Sequence, residues 1–120
     1  MEKDKFEQYV IEAVKALPKF FRDKLENVSI IIEDFPSEEI LTKMKRGKYE
    51  LLGTYQGIPY NKRGFWYGNV LPDKIIIYQK PIERIANNEE AIKELISKVI
   101  THEIGHYYGL SEEELREAGV

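Results

Sequence analysis

The stretch NNEEAIKELISKVITHEIGHYYG, residues 87–109, carries the reading on which the rest of the chain depends. Ile92, Leu95, Ile96, Val99 and Ile100 recur at helical spacing and form an apolar stripe. Asn87 or Asn88 caps its start, with Glu90 three residues beyond Asn87 as in a capping box. Gly109 stops it, because glycine takes the left-handed conformation that closes a helix. A helix to about Tyr108 follows, and inside it lies His102-Glu103-Ile104-Gly105-His106. Histidines four apart on a helix project to one side, so both imidazoles can reach a single ion. At about 100° per residue, His102, Glu103 and His106 fall within roughly 60° of Val99. All three are therefore expected to face inward, toward a sheet. A cluster of that kind needs a partner, because burying unpaired polar groups is costly.

The partner expected is a zinc ion. The chain has no cysteine, which removes disulfides, thiolate sites and cysteine nucleophiles, and leaves His, Asp and Glu as ligands. Its two histidines are both in the motif. Glu103, about 100° round the helix from His102, sits beside the ion, where it can take a proton from metal-bound water. Against this stands the plain reading of two exposed helical histidines with no metal. Catalytic zinc usually has three protein ligands. Glu112 stands at the third-ligand position of the longer pattern HExxHxxGxxH, with Gly109 to turn the chain back. Glu113, Glu117 or no third protein ligand are the alternatives, since Glu112, Glu113 and Glu114 also suit a helix N-terminus. Tyr107 and Tyr108 read as packing residues.

Outward from the motif, helices and strands both occur. Phe6, Val10, Ile11, Val14 and Leu17 predict a helix over about residues 4–16, and Pro18 opens a second carrying Phe20, Phe21 and Leu25. Val28 to Glu33 reads as a strand, and Ser37 caps a helix through Lys45. Glu50 to Gln56 is a second strand and Phe65 to Tyr67 a short third, with turn chemistry at residues 61–64. Lys74 to Gln79 is the clearest strand, followed by a turn or short helix from Pro81. Ser111 with Glu114 repeats the capping-box signature for a last helix to about Glu117.

The chain has 120 residues and a formal net charge of −3, with 42% hydrophobic and 12% aromatic residues. Those values fit one domain over residues 1–120 with its own core. No global positive field draws it to nucleic acid or anionic membrane, and Lys43, Lys45, Arg46 and Lys48 read as a solvated loop. The charged start Met1-Glu2-Lys3-Asp4-Lys5 lacks a secretory apolar core, and no run is long enough to span a bilayer. A cytoplasmic protein with no nucleic-acid or membrane partner is expected. Oligomeric state is left open.

Several segments together resemble the minimal zincins, small single-domain predicted zinc metallopeptidases. They are Glu50-Leu51-Leu52-Gly53 with Tyr55 and Gly57-Ile58-Pro59, Leu71-Pro72-Asp73-Lys74-Ile75 with Tyr78, and Pro81-Ile82-Glu83-Arg84. The run from His102 to Glu112 and the closing Leu115-Arg116-Glu117-Ala118-Gly119 complete the set. The resemblance covers the chain from about Glu50. It implies a zincin-like α+β fold, with a small mixed sheet and the metal helix packed on it. It also implies an acidic third ligand at Glu112, where the family usually has Asp. Both methionines, Met1 and Met44, precede the motif, so the chain departs from metzincins, which have a methionine turn beyond the third ligand. The function expected is zinc-dependent hydrolysis of a peptide or other amide bond, with Glu103 as base and a peptide or protein as substrate. The alternative is a metal-stabilised, non-catalytic protein-binding module.

Overall fold

The computed structural model describes residues 1–25, 28–57 and 73–119. The expected strand at 65–67 and turn at 61–64 lie outside them. Among the described residues the chain order is α1 (Lys3–Lys15), α2 (Lys19–Lys24), β1 (Val28–Glu33), α3 (Glu38–Met44), β2 (Gly53–Gln56), β3 (Asp73–Tyr78), α4 (Gln79–Ile85), α5 (Glu89–Tyr107) and α6 (Glu112–Ala118). Helices and a small mixed sheet make this an α+β architecture.

The sheet has the order β1-β3-β2. β1 runs parallel to β3 with Val28 opposite Asp73, and β2 runs antiparallel to it with Gly53 opposite Ile77. β3 is central because both its faces are apolar. Ile75 and Ile77 enter the main core with Phe6, Val10, Ile82, Ile96, Val99, Ile100 and Ile104. Ile76 and Tyr78 point to a second cluster with Leu51, against which Ile31, Ile40 and Leu41 pack. An unbroken apolar run is what a strand buried on both faces requires.

Two boundaries differ from the sequence reading. The strand expected from Glu50 begins at Gly53. Glu50 instead bends back, its Oε1 accepting from the Gly47 N–H at 2.9 Å. Gln79 starts α4 rather than ending β3, and Pro81 occupies the first turn of that helix, where its missing N–H costs nothing. Of the two candidate caps of α5, Asn88 is the one that serves, its side chain accepting from the Ala91 N–H at 2.9 Å. The reciprocal box at the start of α6 forms as read, between Ser111 and Glu114.

Candidate metal centre

α5 lies across the sheet with Ile92, Ile96, Val99, Ile100 and Ile104 buried beneath it. Gly53 lets it come close, for a Cβ there would sit 2.7 Å from Val99 Cγ1 and 3.1 Å from the Ile76 carbonyl oxygen. One turn beyond Val99, Glu103 takes the same inward direction and is only 5% exposed. The sequence reading turned both histidines inward as well. They stop at the rim, with side chains 30% (His102) and 23% (His106) exposed. The buried line of the helix thus carries the carboxylate, and the imidazoles flank it.

The end of α5 folds the chain back over these rings. Gly109 has φ 90°, a left-handed conformation that disfavours residues with a Cβ. The closure is completed by hydrogen bonds from the Gly109 N–H to the His106 carbonyl (2.8 Å) and from the Leu110 N–H to the Gly105 carbonyl (3.0 Å). Gly105 leaves room for Leu115, so α6 packs directly on α5. The return brings Glu112 Oε1 to 3.1 Å from His102 Nε2 and 2.7 Å from His106 Nε2. One ligand atom from each of the three residues lies within 4.8 Å of the others. Glu113 and Glu117 are not in this group.

Leu110 also orients a ring. His106 Nδ1 lies 2.9 Å from its carbonyl oxygen. A carbonyl only accepts, so Nδ1 carries the hydrogen and the Nε2 of a neutral ring presents a lone pair. Glu112 would then set a second acceptor 2.7 Å from that lone pair. Two acceptors so close need a proton or a metal ion between them. Two imidazole nitrogens and a carboxylate oxygen converging within 4.8 Å are a donor set that suits zinc, and the Leu110 carbonyl accepts the outer hydrogen bond that metal-binding histidines usually make.

Glu103 is the perturbed group. Burial raises its carboxyl to about 7, against the opposing pull of His106 and His102, with Glu112 adding to the rise and a hydrogen bond from the Tyr55 backbone N–H lowering it. Partial burial also works to raise Glu112, but hydrogen bonds and charge from His102 and His106 outweigh it and hold that carboxyl below its ordinary value. Tyr107 is buried, its ring 5.9 Å from that of Tyr55, and Tyr108 packs 6.0 Å from Phe21. Both pack as read. Sequence reasoning missed the Tyr55 amide, the Leu110 carbonyl and Gly53. Backbone groups leave no mark in residue type, and only the glycine was visible.

A family model described as zincin-like metallopeptidase matches residues 25–120. The chain belongs to the zincin-like metallopeptidase family. No curated protein matches it. The zincin-like match begins well ahead of Glu50, so β1 and α3 fall within the family region along with the metal helix. Zincin-like membership implies zinc binding and makes peptidase chemistry the broad functional class. No helix among the described residues is long and apolar enough to cross a membrane.

Proposed function

We propose that this chain is a zinc-dependent peptidase in which His102, His106 and Glu112 hold the ion and Glu103 is the general base. The observation that carries the reading is the convergence of two Nε2 atoms and one Oε1 within 4.8 Å beside a buried carboxylate. Zinc bound there supplies a Lewis acid that acidifies water and polarises a carbonyl. Glu103, buried beside the three ligands, accepts the proton of the attacking water and returns it to the leaving amine. The Tyr55 N–H steadies the charge that Glu103 carries before the transfer. Leu110 keeps the Nε2 lone pair of His106 directed at the ion.

An extended peptide is the substrate shape that β2 favours. The Tyr78 N–H bonds the Leu52 carbonyl at 3.0 Å. Alternation along an antiparallel ladder then turns the backbone of Gly53 and Tyr55 away from β3, along the cleft beside α5. The Tyr55 N–H is given to Glu103, so a substrate strand would pair with that edge through Gly53.

The test is cleavage of unfolded protein substrates by the zinc-loaded chain, compared with Glu103→Gln. The variant is expected to keep its zinc and lose about 10²- to 10⁴-fold in rate. Equal rates would remove Glu103 as base. Zinc binding without any cleavage would favour the non-catalytic module, which has no use for a buried Glu103.

A further inference from the structure

The basic residues near the end of α3 are exposed, as their sequence suggests, and two of them also border the cleft of the metal centre. Lys43 and Arg46 line the cleft of about 1010 Å³ that also contains His102, Glu103 and His106. Lys98, one turn before His102 on α5, lines the same cleft. None of these three cations has an ion-pair partner among the described residues. Lys48, by contrast, sits over the Phe35 ring at 4.1 Å. The acids of this part of the cleft are Glu39 and Glu50, and Glu50 is already engaged by the Gly47 amide. In this part of the cleft the three cations outnumber the two acids, away from Glu103 and Glu112 at the metal centre.

The same part of the cleft is apolar between its charges. Ile40, Met44 and Leu95 line it, and Met44 is 46% exposed. Arg46 is held in place by a strained turn. Lys45 adopts φ 54°, a conformation unfavourable for a residue with a Cβ, and the Arg46 N–H closes the turn on the Leu41 carbonyl at 3.1 Å. Along α5, Lys98 lies about 6 Å and Leu95 about 10 Å before His102. An extended peptide advances roughly 3.3 Å per residue. On a peptide running alongside α5, Lys98 and Leu95 would therefore meet residues about two and three places from the bond at the metal centre.

We infer that the cleft selects peptides carrying an acidic side chain next to an aliphatic one, within about four residues of the bond cut. This rests on the peptidase reading above for its occupant. Charge complementarity of this kind sets specificity and association rate.

The experiment measures binding rather than turnover. Peptides of alternating Leu and Glu, Leu and Ser, or Leu and Lys, bearing an uncharged fluorophore, are titrated into the wild-type chain. Chelator is present, so that no cleavage competes. The acidic peptide is expected to bind about tenfold tighter than the lysine peptide, with the gap shrinking as salt rises. In Lys43→Glu/Lys98→Glu the order should reverse. Salt titration of the wild type makes the same discrimination without a substitution, should the double variant fail to fold. Equal binding of the three peptides, a preference indifferent to salt, or displacement of the acidic peptide by a short oligothymidylate at lower concentration would each overturn the inference. The charge preference does not depend on hydrolysis. If it is present and zinc-loaded protein cleaves nothing, the peptidase reading fails alone. If cleavage occurs without the preference, this inference fails alone.

Discussion

Glu103 is a carboxylate in a position that stability would give to a leucine. It follows Val99 on the buried line of α5 and is 5% exposed. Burial lifts its carboxyl from an ordinary 4.5 to about 7. The folded, metal-free chain therefore binds this proton more tightly than the unfolded chain does. The contribution to stability is fully present below about 4.5 and is lost as pH rises through about 7. Glu103→Gln cannot ionise and escapes the loss. In metal-free protein its melting temperature should rise relative to wild type between pH 5 and pH 8, by a difference on the order of 2 kcal/mol. Parallel curves for the two proteins would show that the carboxylate is solvated rather than buried. Such a cost, tolerated at one residue, is characteristic of a functional position.

At the scale of elements, the site depends on how near β2 comes to α5. Gly53 sets that distance, with Val99 Cγ1, the Ile76 carbonyl and Glu103 Cγ all close to the space a Cβ would fill. Gly53→Ala must push the helix from the sheet or displace Val99, which is itself buried. Overpacking of this sort costs about 1–3 kcal/mol. The expected result is a lower urea midpoint with unchanged slope, together with slower cleavage, because the Tyr55 N–H moves away from Glu103. An unchanged midpoint would mean that the two elements are not in close contact. The same argument identifies Gly109 as the hinge between α5 and α6, since its φ of 90° is what returns Glu112 to the imidazoles.

For the whole molecule, an ion held by His102, His106 and Glu112 would tie α5 to α6 across the turn at residues 109–111. Binding to the folded state alone stabilises by about 2.7 kcal/mol at a hundredfold excess over Kd. For a chain of this size that is a rise of roughly 10 °C in melting temperature, reversed by chelator. His106→Ala should melt at the same temperature with and without zinc. A zinc-dependent rise in that variant would place the ion elsewhere. The outer hydrogen bond from His106 Nδ1–H to the Leu110 carbonyl should matter less to melting than to affinity, because it only orients a ring already packed at the rim.

Local order was legible before any coordinates. The α5 stripe, the Ser37 and Ser111 caps, the β3 run and the spacing of His102, Glu103 and His106 are written within a few residues of one another, where periodicity and capping act. So the α+β class and the candidate motif follow from the chain itself. What only the tertiary structure decided is which distant groups meet: Glu112 rather than Glu113 or Glu117 beside the rings, Glu103 buried while the histidines stay at the rim, and Lys43, Arg46 and Lys98 brought to one cleft. Those outcomes depend on how closely a helix can lie on a sheet and on where a glycine turns the chain. Both are set by packing between residues far apart in sequence, and no local pattern records them.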